Sequence, residues 1–333
     1  MLRILHDTKV DFVRRWRLAA MALVIFILPA IVLIALSGFR YSIEFTGGTL
    51  MQVAFTEPPD VADVRAALSG AGLDGVEIST FGSARELVMR AQEREQVAQQ
   101  AGGAETVAFR VNAALTERFG KDRFSVVRTE AVGPKVGEEL RRQAIVALLI
   151  AFALTLVYLA WRFEGRFALA AVLATVHDVI ATLAFIRYLN LEVSLFVVGA
   201  ILTVVGYSMN DKVVVFDRVR ENLKTSGRTS LYDLLNRSVN ETLPRTVMTG
   251  STTLACLLAL LIFGGQVIRP FAWVLIFGIV IGTFSSVYVA SPLLLLIENR
   301  WPRRAGEANA KGKPNLPREG VKRPATKEPA SVR

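Results

Sequence analysis

The sequence predicts a polytopic α-helical membrane protein with six transmembrane helices and one external α+β domain between the first and second of them. Three observations carry this: long uncharged apolar runs, basic residues gathered at one set of their ends, and a strand-and-helix alternation confined to one segment of about a hundred residues. The composition agrees: 52% of the 333 residues are apolar, 20% are charged, and the net charge is +10. Such a chain has too little polar surface to cover a single soluble core, and it is neither disordered nor collagen-like. One cysteine, Cys256 in an apolar run, excludes a disulfide-stapled fold.

A helix needs about 20 residues to cross a hydrocarbon core of roughly 30 Å. Leu18 to Phe39 is uncharged for 22 residues, Gln143 to Trp161 for 19, Thr246 to Ile268 for 23, and Pro270 to Ile297 for 28. Two further runs are interrupted: Phe167 to Ile186 holds His177 and Asp178, and Val193 to Phe216 holds Asp211 and Lys212. The helices are expected at 18–38, 141–161, 167–187, 193–216, 244–266 and 270–297. Ala35-Leu36-Ser37 resembles a signal-peptidase site, but the apolar run before it is longer than a signal peptide's, so an uncleaved anchor is preferred.

Charge sets the orientation. The segment Phe39 to Arg142 carries 13 Lys/Arg against 15 Asp/Glu, net −2, and the rest of the chain carries 26 against 14, net +12. Five basic residues lie in the first 17, two in Arg162 to Arg166, six in Arg218 to Arg245 and ten from Arg300 onward, all on one side of a six-span arrangement. The opposite short loops hold Arg187 and Arg269. The positive-inside bias then assigns both termini and the loop 218–243 to the cytoplasm. The tail 300–333, rich in Pro and Lys/Arg, is expected to be disordered and to rest on anionic lipid. Basic charge that flanks apolar runs, rather than forming a stripe on a folded domain, speaks against nucleic-acid binding.

The external segment, 39–138, has its own pattern. "TLMQVAF" reads as a strand, "PPDVADVRAALSGAG" as a helix opened by Pro and closed by Gly, and "GVEISTF" and "RELVMRAQ" as strands around a Gly-Ser turn. A second helix from about Glu105 to Phe119 and the strand "FSVVRTEAVG" complete a β-α-β-β-α-β order, which is ferredoxin-like. It contains no Cys or His, so it reads as a binding or mechanical module. No Walker A, HExxH or Gly-x-Ser-x-Gly pattern occurs in the chain. No enzyme activity, metal or cofactor is expected.

The chemistry therefore falls to charges at membrane depth, where a carboxylate costs about 2.5–3.5 kcal/mol on insertion scales. Asp211 follows 18 uncharged residues and lies five residues, about 7 Å, from the basic end of its run. It is either an interfacial residue or a proton carrier. Arg245, after Pro244, sits at a similar depth and either pairs with Asp211 or closes a loop beside Glu241. His177, Asp178 and Asn210 are candidates for a relay or for a helix contact. Gly278-x-x-x-Gly282, Gly199 and Gly206 permit close helix approach.

Four separated motifs occur in order: "YSIEFTGGTL" (Tyr41 to Leu50), "GPKVGEEL" (Gly133 to Leu140), "GYSMNDKVVVFDRVREN" (Gly206 to Asn222) and "NRSVNETLPRTVMTGSTT" (Asn236 to Thr253). Together they resemble the SecF family of protein-export membrane subunits, from about Asp7 to Glu298. The family more usually has Asp where this chain has Glu44, and a small hydroxyl residue where it has Lys212.

The resemblance implies a bacterial inner-membrane subunit that works with SecD, the SecYEG channel and YajC, and uses the proton-motive force to promote late-stage polypeptide translocation. It implies six spans forming half of a twelve-helix bundle like that of resistance-nodulation-division transporters. It also implies proton transport at Asp211 and Arg245, and a family motif at Phe45, Gly47 and Gly48. The alternatives are a non-transducing scaffold subunit and half of a proton-driven small-molecule or lipid transporter.

The orientation is open to a direct check. With Cys256→Ala as background, a cysteine at Ser83 is expected to react with a membrane-impermeant maleimide in intact cells or spheroplasts. Labelling only after lysis contradicts the charge-based topology.

Overall fold

The computed structural model describes residue 8 and residues 10–91, 103–225 and 229–301. The expected tail beyond residue 301 and Gln92, the end of the third predicted strand, lie outside the described residues. Among the described residues six helices are long and apolar enough to cross a membrane.

The first span is α1 (Trp16–Ser37), and a single helical turn, α2 (Ile43–Thr46), follows it. The external domain then runs β1 (Gly48–Phe55), α3 (Val61–Gly70), β2 (Glu77–Phe81), β3 (Ser83–Ala91), α4 (Gly103–Phe119) and β4 (Phe124–Val132). The sheet order is β2-β3-β1-β4 with every neighbour antiparallel, as a split βαβ unit requires. Local chemistry fixes the ends. Asp60 accepts the Ala62 N–H at 2.8 Å to cap α3, and Gly82 (φ 75°) turns the β2-β3 hairpin. Alternate residues of β1 and β3, among them Met51, Val53, Leu87 and Met89, meet Val64 and Leu68 of α3 and Val111 and Leu115 of α4 in one core. Turn α2, which the sequence patterns did not reveal, separates the first span from the sheet.

The remaining spans are α5 (Pro134–Arg162), α6 (Gly165–Tyr188), α7 (Leu195–Thr225), α8 (Leu231–Phe263), and a sixth span built from α9 (Gly265–Ser285), a π-helical turn (Ser286–Ala290) and α10 (Ser291–Arg300). They are not equivalent. In the most apolar stretch of each span, 56% of α6, 50% of α7 and 61% of the sixth span is buried, against 6% of α5 and 17% each of α1 and α8. Three helices thus form the inner bundle and three stand outside it. Cys256 belongs to the outer set and is exposed.

Small residues set the inner spacing. A Cβ on Gly278 would collide with the Val204 side chain, and one on Gly282 would lie 3.0 Å from Ser208 Cβ, so the glycine pair brings α9 hard against α7. Gly199 and Gly206 face open space, so only one of the two glycine patterns packs helices.

The stretch read as a loop, 218–243, is largely helical: α7 continues to Thr225, and α8 starts at Leu231 with Ser230 as its N-cap. Glu241 joins the two extensions by accepting from Arg218 Nε at 2.6 Å, Arg237 Nε at 2.8 Å and Asn222 Nδ2 at 2.8 Å. Asn240 and Asn236 receive the chain entering α1: Val10 N–H donates to Asn240 Oδ1 at 3.0 Å and Phe12 N–H to Asn236 Oδ1 at 2.9 Å.

The sheet is tied to the bundle at the Gly-Gly turn. Glu44 Oε2 accepts the Leu195 N–H at 2.6 Å, capping the start of α7, and Phe45 is buried against α6 and α7. Gly47 holds φ 73° and ψ 165°, a region nearly restricted to glycine, and a Cβ there would lie 2.7 Å from Pro134 Cα at the start of α5. Arg90 of β3 pairs with Glu192 in the α6-α7 loop. Burial pushes the Glu192 carboxyl above its usual range, against the opposing pull of Arg90 and Arg40.

Gly47→Val is therefore expected to cost at least about 2 kcal/mol from backbone strain and collision together, read as a lower melting temperature of the detergent-solubilised protein. Gly70→Ala, at a helical position with nothing within 4 Å, should leave it unchanged or slightly raised. Equal melting temperatures for the two variants would remove the proposed contact.

Candidate functional site

Inside the three-helix core the intramembrane charges fall into two sites, set by the angular step of a helix. Adjacent residues point about 100° apart, so Asp211 and Lys212 face different neighbours. Lys212 is fully buried and turns toward α6, where its Nζ donates to Asp178 Oδ2 at 2.6 Å. Its remaining donor capacity meets Ser208, one turn earlier on α7, at the backbone carbonyl (3.3 Å) and at Oγ. The side chain is sealed inside the bundle and, among the described residues, makes no ion pair with Asp211.

Asp178 is also fully buried and collects donors from every side. Beside Lys212, Oδ2 accepts from Ser285 Oγ of α9 at 2.8 Å and from Ser208 Oγ; Oδ1 lies 3.0 Å from His177 Nδ1. One carboxylate thus joins α6, α7 and α9. Against a carboxylate oxygen Nδ1 is the donor, and Nε2 is buried without a hydrogen-bond partner among the described residues. His177 and Asp178 are both used, one at the edge of the core and one inside it.

Asp211 is 2% exposed and has far fewer partners. Its Oδ2 accepts from Thr283 Oγ1 of α9 at 3.1 Å. Arg245 is exposed on α8 and, among the described residues, has no ion pair with Asp211 or with Glu241, which is committed to Arg218 and Arg237. Of the two pairings open to Arg245 in the sequence, neither is formed among the described residues. Arg245 is near enough to act on Asp211 only as a longer-range charge. Asn210 is exposed and adds nothing to either site.

Ser208, Thr283 and Ser285 were missed by sequence reasoning. Ser208 carried a signal, because it stands one helical turn before Lys212 on the same face. Thr283 and Ser285 carried none: both lie in an uncharged run, and only the close approach permitted by Gly278 and Gly282 brings them to the carboxylates. The π-helical turn begins immediately after Ser285, a geometry frequent at functional positions in helices.

No cluster of metal-ligating side chains occurs among the described residues. What the arrangement provides is a dry, charge-bearing seam. Asp178 and Lys212 form a hydrogen-bonded pair of opposite charges, and Asp211 is a separate buried carboxyl held by one hydroxyl.

Comparison with known proteins places this seam in context. Residues 111–300 match the family model for protein export membrane protein SecD/SecF, C-terminal, and residues 32–59 match that for the SecD/SecF GG motif. A protein translocase subunit SecF from Gemmatimonas aurantiaca is 56% identical over 313 residues, covering 93% of this chain and 94% of the relative. The SecF of Escherichia coli O157:H7 is 36% identical over 291 residues, 87% of this chain and 88% of the relative. Among solved structures, SecDF of Thermus thermophilus, described as a translocon-associated membrane protein, superposes with a TM-score of 0.78 at 36% identity over 90% of this chain. This chain spans only 40% of that longer one. The matched regions contain the Gly-Gly turn, the Asp178–Lys212 pair and Asp211 alike, and the chain belongs to the SecF family of protein translocase subunits.

Proposed function

We propose that this multi-pass Sec translocase subunit works with SecD in one complex at the SecYEG channel and draws on the proton-motive force to promote late polypeptide translocation. The first 17 residues, the extensions 218–243 and the tail face the cytoplasm, the domain 39–138 faces the opposite side, and the membrane is the bacterial inner membrane. YajC and the translocating chain complete the set of partners.

The observation that carries the reading is the difference between the two buried carboxylates. With Asp178, Lys212 and Asp211 all ionised, the core would hold a net negative charge, which an apolar interior opposes strongly. One bound proton neutralises it. Asp178 has an ammonium, two serine hydroxyls and an imidazole to stabilise its negative charge, whereas Asp211 has one threonine hydroxyl. The exchangeable proton therefore belongs on Asp211, and Lys212 serves to keep Asp178 ionised and out of competition. Arg245, on the exposed face of α8, is the charge that Asp211 meets when the outer helix closes on the core after proton release. His177 lies between the edge of the bundle and Asp178, where it can serve as a relay; Asn210 has no part in the dry core.

Proton movement is transmitted outward through α7. Its outer end is capped by Glu44 beside the Gly-Gly turn, and its middle carries Asp211, so a shift of α7 moves the base of the external sheet. One charge crossing 100 mV supplies about 2.3 kcal/mol, enough to shift a two-state equilibrium of that size. A scaffold reading has one observation in its favour: the Asp178 hydrogen-bond set joins three helices whether or not protons move.

Asp211→Asn separates the two readings. Proton-motive-force-stimulated export by membranes holding the full complex should fall to the level seen without the subunit, with assembly intact. Retention of near-normal stimulation supports the scaffold.

The fixed pair has a stability signature. Lys212→Met is expected to cost about 3–5 kcal/mol by stranding a buried carboxylate, while Asp178→Leu combined with Lys212→Met should recover most of that loss. Melting in detergent reads both, and a double variant no more stable than Lys212→Met would show that the two side chains are not paired.

A further inference from the structure

The first span does not pack along its whole length. Its middle is bound to the core: Leu23, Phe26 and Ile27 meet α6 and the sixth span, and Tyr188 Oη donates to the Phe26 carbonyl at 2.7 Å. At the basic end, the face carrying Trp16, Ala20 and Val24 instead lines a cavity of 230 Å³. The facing wall is Tyr288 of the π-helical turn with Pro292 and Leu296 of α10, and His177 lies at the inner end. Val24, Leu28 and Leu296 are exposed along its rim, so it opens on the outer surface of the bundle.

We propose that this groove is a binding site for an anionic phospholipid, with one acyl chain between α1 and α10 and the phosphate on the arginines at its mouth. The shape selects a hydrocarbon chain. From Trp16 to Leu28 the groove runs along about 18 Å of helix. A cavity of 230 Å³ spread over that length is far narrower than a helix with side chains, about 10 Å across, so a partner helix does not fit it.

The lining is apolar apart from the Trp16 and Tyr288 polar tips and His177, and chain methylenes there recover the dispersion contacts that an empty slot forfeits. The charge selects the headgroup. Arg14, Arg15 and Arg17 are all exposed within the turn that opens α1, and among the described residues none has an ion pair; Arg17 lies over the Trp16 ring, and Asp11, an acidic neighbour of Arg14 and Arg15, is held by Tyr232 Oη and the Arg14 N–H. Guanidinium groups so placed bind phosphate by charge-assisted hydrogen bonds.

An occupied groove has a consequence for the core. The acyl chain ends against the ring of His177, whose Nε2 is without a partner while Nδ1 holds Asp178. Filling the slot keeps water away from the Asp178–Lys212 pair on its membrane side.

Quenching of Trp16 tests the site. In the full-length chain carrying Trp161→Phe, Trp273→Phe and Trp301→Phe, reconstituted in vesicles, Trp16 is the sole tryptophan. Phosphatidylglycerol with brominated acyl chains should quench it with an apparent affinity above that of brominated phosphatidylcholine, by about fivefold for each arginine engaged. Replacing Arg14, Arg15 and Arg17 by Gln should make the two lipids equal while quenching persists. Filling the groove, by Ala20→Phe or more mildly Ala20→Leu, should reduce quenching by both. Equal quenching by the two lipids in the parent protein means bulk lipid only and overturns the proposal. Absence of quenching means that protein covers the face, and overturns it equally.

Discussion

A lysine ammonium sealed among apolar helices requires a carboxylate within contact, and much of this bundle is arranged around meeting that requirement. Isolated, Lys212 would carry a desolvation penalty of several kcal/mol. Paired with Asp178 and surrounded by serine oxygens, it becomes part of a neutral polar knot that α6, α7 and α9 must all contribute to. The knot fixes the rotation of each helix about its axis, because a turn of one residue would present Asp178 or Lys212 to hydrocarbon. It also explains the glycines of α9: Ser285 and Thr283 reach across only because Gly278 and Gly282 let the helix backbones approach.

The same pairing sets Asp211 apart. Adjacent in sequence, the two residues of α7 serve different neighbours, and Asp211 is left with a single hydroxyl donor. A buried carboxyl with few partners is the group in such a core whose protonation changes most readily, while one with four donors is held in a single state. The chain therefore separates a carboxylate held by several donors from one held by a single hydroxyl, among the described residues, within the same three-helix core. Lys212 beside Asp211 is neutralised across the helix interface by Asp178.

The external domain gains its attachment from backbone geometry. Gly47, Pro134 and Gly137 bring the Gly-Gly turn against the start of α5, and Glu44 caps α7 from the same turn. The Glu44 carboxylate is the group that this cap uses. Arg90 and Glu192 add a second tie, from sheet to loop. Movement of α7 is thereby connected to the sheet through atoms in contact.

Six spans, the α+β insertion and its strand order were legible in the sequence, because apolar run length, basic flanks and turn residues are local properties whose physics needs no tertiary partner. That Asp178, His177 and Asp211 place polar groups at membrane depth was legible for the same reason, since a polar side chain in an apolar run is conspicuous at once. Which charge meets which was not legible. Lys212 pairs with a residue 34 positions away, Arg245 stays outside, and Ser285 and Thr283 become ligands of the carboxylates only when α9 docks on α7. Pairing depends on the rotation and spacing of helices that come from different parts of the chain, and those are fixed by side-chain packing, which no run of residues read by itself contains.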